Sequence, residues 1–116
     1  MTEEEKFNFD FEWQNKLGEI GELENKLRDE AETRLRKLTK GHTDVTGAAI
    51  IMEHIDKDAK SPYRYRARVV AYTRPEHIAG IEEADTPQNA LKNALNAVER
   101  QVREKREKLR ERWKQS

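Results

Sequence analysis

The sequence that decides the fold runs from Thr86 to Trp113 and reads TPQNALKNALNAVERQVREKREKLRERW. Thr86 can cap free backbone N–H groups, and Pro87 suits the first helical position, where its missing N–H costs nothing. Apolar residues then recur at spacings of three, four and seven. This pattern predicts a helix with one apolar stripe, made of Leu91, Leu95, Val98, Val102, Leu109 and Trp113.

The charge of this helix changes along its length. Lys92 is the only charged residue between Thr86 and Val98, whereas residues 99–116 carry eight basic and four acidic side chains, net +4. A helix over 87–113 is about 40 Å long at ~1.5 Å per residue, and a strand of about nine residues is shorter at ~3.3 Å per residue. We therefore expect the first half to pack on a sheet and residues 107–116 to form a helical overhang.

Leu109 and Trp113 continue the apolar stripe beyond the expected edge of the sheet. A second copy of the same helix is the simplest cover, because Glu and Arg side chains can pair across an antiparallel contact. The alternative is cover by the N-terminal strand or by the start of the first helix. We expect a weak homodimer through Leu109 and Trp113.

Length and composition limit the kind of protein. A chain of 116 residues forms one domain, residues 1–116, and its 40% charged and 34% apolar residues indicate a thin core. The zero net charge and the periodic apolar residues argue against disorder. Only residues 1–5 are expected to form a disordered tail.

Several function classes lack their sequence signals. There are no cysteines, so disulfides and thiolate chemistry are excluded, and the three histidines lack metal-ligand spacing. No apolar run approaches the ~20 residues of a membrane span, and the N-terminus has no secretory signal, so we expect a cytoplasmic protein that does not contact membranes. Without a phosphate loop or a nucleophile elbow, we expect no enzyme and no cofactor.

The first half of the chain predicts a strand followed by a helix. Aromatic and polar residues alternate from Phe7 to Trp13, which indicates a strand with one buried face. Helical spacing of apolar residues continues from Lys16 to Lys40. Gly18 and Gly21 disfavour the first turn, so that the helix either frays or starts late.

Three further strands precede the long helix: Val45–Ile55, Tyr63–Arg74 and a short one at His77–Ala84, which Gly80 weakens. The first of these is apolar on both sides, which places it inside the sheet. The fold class is α/β (α+β) with the order β-α-β-β-β-α: a four-stranded mixed sheet with two helices on one face. The first β-α-β step is a right-handed parallel crossover, and the later strands form antiparallel hairpins.

Some of these patterns resemble a known family, the ribosome hibernation-promoting factors and ribosome-associated inhibitors in their short form. Glu83-Ala84-Asp85 stands where that family has an acidic strand end, and Ala97–Arg103, AVERQVR, is similar to its signature in the last helix. The segment RLRKL, from Arg34 to Leu38, resembles the end of its first helix.

The resemblance extends over the whole domain by element order and implies a function as well as a fold. Members of the family bind the small ribosomal subunit in the channel used by mRNA and tRNA, and so silence idle ribosomes. The implied partner is the rRNA of the small subunit. The implied contacts are the basic residues of the matching helix ends, Arg34, Arg36, Lys37, Lys40, Arg100, Arg103, Lys105 and Arg106.

Each set of candidate RNA contacts has an ordinary structural alternative. Arg64, Arg66 and Arg68 point the same way if all lie in one strand, with Tyr72 further along, and would suit rRNA phosphates. Equally, these arginines could pair with Glu53 or Glu82. The basic end of the first helix could simply complement the helix dipole, and the last helix could be laced with Glu–Arg pairs.

The sequence is also compatible with two other functions. The neutral net charge favours a protein-interaction module that keeps the fold without binding ribosomes. The α-β-β-β-α core is also shared in outline with general double-stranded RNA-binding domains.

Overall fold

The computed structural model describes residues 9–39, 45–56, 60–74 and 76–115, with side chains as far as Glu111. Its strands are β1 (Asp10–Asn15), β2 (Gly47–His54), β3 (Tyr65–Tyr72) and β4 (Ile78–Ala84), and its helices are α1 (Glu22–Lys37) and α2 (Pro87–Gln115). The predicted order β-α-β-β-β-α is confirmed. The expected tail at residues 1–5 lies outside the described residues, as do Phe7 and Lys40, the outer ends of the first predicted strand and helix.

The sheet has the order β1-β2-β3-β4. β1 pairs with β2 in parallel, and the other two pairs are antiparallel, as the sequence predicted. β2 therefore lies inside the sheet, which explains why it is apolar on both sides.

Both helices cover the same face of the sheet, and the core lies between the two layers. α1 contributes Leu27, Ala31 and Leu35 at helical spacing, and all three are buried. The sheet contributes alternate residues of its central strands, and α2 contributes the predicted stripe as far as Val102: Ala48, Ile50, Met52, Ala67, Val69 and Ala71, then Leu91, Leu95, Val98 and Val102.

The start of α1 is later than the predicted Lys16. Gly18 and Gly21 have φ angles of 88° and 63°, a left-handed conformation that a helix cannot include. The side chain of Asn15 holds this loop, because its Oδ1 accepts from the Leu17 N–H at 2.8 Å and its Nδ2 donates to the Gly18 carbonyl at 2.8 Å. The loop is thus an ordered connection between β1 and α1.

Gly80, which made the fourth strand uncertain, has a packing role. A Cβ at this position would lie 2.7 Å from the Ala94 carbonyl oxygen and 3.1 Å from the Ala97 Cβ. The glycine therefore lets α2 approach β4 closely, opposite small residues on the helix. The hydroxyl of Thr86 accepts from the Asn89 N–H at 3.1 Å, so the predicted N-terminal cap of α2 is present.

Candidate nucleic-acid interface

The helices leave one face of the sheet uncovered. We call this the open face; strand register and alternation assign to it Asp10, Glu12 and Gln14 of β1, Ala49, Ile51 and Glu53 of β2, Arg66, Arg68, Val70 and Tyr72 of β3, and Ala79, Ile81 and Glu83 of β4. Arg66 and Arg68 were predicted to share one side of a strand, and they do. β3 begins only at Tyr65, so Arg64 precedes the strand and stands outside this alternation.

The two open-face arginines are engaged in ion pairs. Arg66 Nη2 lies 2.9 Å from Glu83 Oε2, and Arg68 Nε lies 2.7 Å from Glu53 Oε1. The predicted pairing with Glu53 is confirmed, but pairing with Glu82 is wrong, because Glu82 is opposite Ala67 on the helix-covered side. These contacts match the alternative in which the arginines stabilise the sheet surface.

Carboxylates outnumber basic groups on the open face. The hydrogen bond from the Ser61 hydroxyl and then the guanidinium of Arg66 lower the pKa of Glu83. Tyr72 shows the opposite effect: burial first, and then the negative charges of Glu12 and Asp10, raise the pKa of its hydroxyl. Four acidic and two basic residues make this face unfavourable for a phosphate backbone.

Arg34, a predicted RNA contact in α1, joins the two helices instead. Its Nε lies 3.0 Å from Glu99 Oε2, and its Nη2 lies 2.6 Å from Glu99 Oε1 and 2.7 Å from Asn96 Oδ1. The hydrogen bond to Glu99 raises the pKa of Arg34, against the opposing effect of burial. This bidentate contact between Arg34 and the Glu99 carboxylate fixes the relative position of α1 and α2.

The other basic residues at the end of α1 differ in exposure. Arg36 forms an ion pair with Glu32 at 2.9 Å, and its guanidinium carbon lies 5.1 Å from the centre of the Phe9 ring. Lys37 is exposed at the last position of the helix. Lys40 lies outside the described residues.

Two predicted contacts in α2 also have structural partners. Lys105 Nζ donates to the Arg74 carbonyl at 2.6 Å, and Arg106 Nη2 donates to the Leu38 carbonyl at 2.5 Å. The second contact satisfies a carbonyl at the C-terminal end of α1, where cationic groups are favoured. It also shows that the end of α1 lies against this part of α2.

Arg103, Arg106 and Arg110 lie on the same side of α2 as Glu99, because spacings of four and seven return to one side of a helix. Arg103 and Arg110 are exposed, and no described residue forms an ion pair with either. Arg100 does not share this side of α2, and its Nε lies 3.7 Å from Glu104 Oε1. We call Lys37, Arg103, Arg106 and Arg110 the basic edge. Arg110 is not among the contacts implied by the family resemblance, but the helical period from Glu99 places it on the same side of α2.

The basic edge and the open-face arginines do not form one surface. The basic edge belongs to the helix layer, whereas Arg66 and Arg68 lie on the opposite side of the sheet. Of the predicted contacts, the structure brings Lys37, Arg103 and Arg106 together and separates Arg64, Arg66, Arg68 and Tyr72 from them.

Comparison with known proteins places this arrangement in a family. The family model described as "Sigma 54 modulation protein / S30EA ribosomal protein" matches residues 18–110, which is most of the chain. The chain belongs to this family. Among curated proteins, none matches it at a significant level of sequence similarity.

Solved structures with the same fold include two from bacteria. A ribosomal subunit interface protein from Coxiella burnetii is similar with a TM-score of 0.64 and 13% identity, over 84% of this chain and 98% of that one. The N-terminal domain of Thermus thermophilus Protein Y is similar with a TM-score of 0.61 and 18% identity, over 82% of this chain and 94% of that domain.

No described helix is long and apolar enough to cross a membrane. No three described His, Asp or Glu side chains are grouped so that they could hold a metal ion.

Proposed function

We propose that this chain binds the small ribosomal subunit through rRNA, in the cytoplasm, and represses translation in cells that are not growing. The observation that carries the proposal is the family match over residues 18–110. The name of one similar structure, a ribosomal subunit interface protein, supports association with the ribosome.

The basic edge is the surface best suited to this contact. Lys37, Arg103 and Arg110 are exposed, and Arg106 lies among them. Exposed guanidinium and ammonium groups on one edge of a helix pair can contact successive phosphates without losing existing ion pairs. The open face cannot do so equally well, because Arg66 and Arg68 would have to leave Glu83 and Glu53.

Sedimentation with small ribosomal subunits through a sucrose cushion tests the proposal. The protein should pellet with the subunits at low salt and be released as salt rises, because phosphate contacts weaken steeply with ionic strength. Protein that stays in the supernatant at low salt would refute ribosome binding. Addition of the protein to a translation extract then measures repression.

Matched charge removals locate the contact. Arg103→Gln with Arg110→Gln should weaken binding and lower the slope of log affinity against log salt by about 1.5–2, which corresponds to two lost phosphate contacts. Arg64→Gln with Arg68→Gln removes the same charge from the sheet side and should leave the slope unchanged. If the second pair weakens binding as much as the first, the basic edge is not the contact surface.

The acidic open face favours one other function, a protein-interaction module that does not bind ribosomes. A binding assay in which small subunits compete with plain RNA duplex distinguishes these functions. A ribosome-binding protein should prefer small subunits to an equal mass of plain RNA duplex, a general double-stranded RNA binder should show no preference, and an interaction module should bind neither.

A further inference from the structure

Two apolar surfaces of this molecule are left uncovered in the part that the structure describes. On the open face, Ile81 of the edge strand β4 is 55% exposed and is paired with Arg68 on β3; Ala79 and Val70 lie beside this pair, and Ala49 and Ile51 continue the apolar area on β2. On α2, Leu109 is 46% exposed and lies seven residues beyond the last buried position, Val102. We call residues 107–115 of α2 the overhang, because Lys105 and Arg106 still bond to the body of the domain.

The charges of these two surfaces are opposite. Asp10, Glu12, Glu53 and Glu83 outnumber Arg66 and Arg68 on the open face. The overhang, residues 107–115, carries four basic and two acidic side chains. An apolar area with an excess of carboxylates around it thus fits an exposed leucine with an excess of basic residues around it.

We propose that two copies of this chain associate by exchanging overhangs, each overhang lying across the open face of the other copy. This differs from the helix-on-helix contact expected from the sequence, because the structure provides an uncovered apolar sheet of opposite charge. Leu109 of one copy would pack beside Ile81 of the other. The proposal does not depend on ribosome binding.

The dimensions agree with this arrangement. From Glu107 to Gln115 the helix advances about 12 Å at ~1.5 Å per residue, and four strands at ~4.8 Å spacing are about 14 Å across from first to last. One overhang is therefore long enough to cover most of the width of the sheet. A helix on this face would complete a second helix layer of the kind that already covers the other face.

A two-fold axis closes the exchange. Leu109 lies on the same side of α2 as Val102, so it faces towards the level of its own sheet, in a groove that Glu76 and Ile78 also line. A second copy placed beside the first and turned over presents its open face there, about 10 Å below the overhang. The same rotation brings the second overhang under the first open face, which makes a self-complementary contact without an open-ended chain.

Complementary variants test the exchange. Ile81→Arg spoils the open face and keeps the overhang, whereas Leu109→Glu spoils the overhang and keeps the open face. Each variant alone should associate at least about tenfold more weakly than the unmodified chain by sedimentation equilibrium, as expected for a central apolar contact. An equimolar mixture should recover association, because one intact contact forms between unlike copies.

A control variant and a fold check accompany this experiment. Tyr63 is 43% exposed but precedes β3, outside both surfaces, so Tyr63→Ser should associate like the unmodified chain. Circular dichroism should show that all variants fold, because each substitution is at an exposed position. An unmodified chain that stays monomeric up to roughly 1 mM, where binding is worth only about −4 kcal/mol, would overturn the proposal.

Cross-linking distinguishes the possible contacts with minimal change to the surfaces. The chain has no cysteines, so Ala79→Cys and Leu109→Cys each introduce a single thiol. When the two variants are mixed with a short bis-maleimide, the exchange should give mainly the 79–109 product. Mainly 109–109 product would indicate helices packed on each other, mainly 79–79 would indicate sheets packed face to face, and either result would overturn the exchange.

Discussion

Side-chain pairing determines which basic residues of this chain are available to a partner. In the sequence, the arginines of α1 and β3 cannot be distinguished from those of α2, because all of them lie in basic segments. In the structure, Arg34, Arg66 and Arg68 already have carboxylate partners, whereas Arg103 and Arg110 have none among the described side chains. The partners are far away in sequence, so local charge patterns cannot separate the two groups.

Arg34→Ala should destabilise the fold by about 1–2 kcal/mol, because it removes a partly buried, forked contact between the two helices. Arg34 keeps 23% and Glu99 22% of its side-chain exposure, so solvent screens part of the interaction. Chemical denaturation of Arg34→Ala, Glu99→Ala and the double variant should give a coupling energy of about 1 kcal/mol.

The same residue separates a structural role from RNA contact. Arg34→Lys keeps the charge but loses the fork, so it should lower stability while leaving the salt dependence of ribosome binding unchanged. Unchanged stability of Arg34→Lys, together with a salt slope reduced by Arg34→Gln, would instead assign Arg34 to the RNA contact.

The lowered pKa of Glu83 gives a pH-dependent contribution to stability. Since the folded-state pKa lies below the unfolded one, the contribution is present above the unfolded pKa and is lost as pH falls through the lowered folded value. Glu83→Gln should therefore reduce the melting temperature at pH 7, and the difference from the unmodified chain should shrink below about pH 4.

Glu82→Gln is the matched control for this experiment. It removes the same charge from the next position of β4, on the side away from Arg66. Thermal melts of both variants across the pH range should show the pH-dependent loss for Glu83→Gln alone.

Among the secondary-structure elements, the contact between α2 and β4 depends on one glycine. Gly80→Ala should cost about 1–3 kcal/mol, because the new Cβ would meet the Ala94 carbonyl oxygen at 2.7 Å and the helix would have to shift. Denaturant unfolding measures the loss. Ala79→Gly, at the neighbouring position on the open face, provides a control with no crowding against α2.

Periodicity predicted the elements well, and long-range geometry explains what it missed. The stripe of α2 and the alternation in β1 and β3 reflect burial on one side, so element order and sheet topology followed from the sequence. The observed start of α1 differs from the predicted one, because the backbone conformation of Gly18 and Gly21 does not fit a helix. From the strand alone, Gly80 reads as a weak position. The reason for the glycine is its close contact with α2, which comes later in the chain.

The candidate site was predicted only in part, for a similar reason. The helical period assembles Arg103, Arg106 and Arg110, so this part of the basic edge was accessible from the sequence. The proximity of Lys37 was not, because it depends on the end of α1 meeting Arg106 across the fold. The acidic character of the open face also depends on pairing between strands, which brings the carboxylates of Glu53 and Glu83 to Arg68 and Arg66.

In the whole molecule, the two proposals use the same end of α2. In the exchanged dimer the overhang lies on a partner's sheet, and Arg110 is adjacent to Leu109, the residue that packs there. A phosphate backbone could not reach an overhang enclosed in this way. By linkage, rRNA binding and self-association should therefore weaken each other to the same extent.

Fluorescence energy transfer between copies measures this competition. Asn93→Cys places a label on the exposed side of α2, away from the overhang, in a chain with no other cysteine. At a protein concentration that gives dimers, small ribosomal subunits should reduce the transfer, and unlabelled protein in excess should reduce it as well. The labelled variant with Arg103→Gln and Arg110→Gln, which binds rRNA weakly, should keep its transfer when subunits are added. If the transfer persists while the unmodified chain pellets with subunits, the dimer itself binds the ribosome, and the basic edge must stay open to rRNA in the dimer.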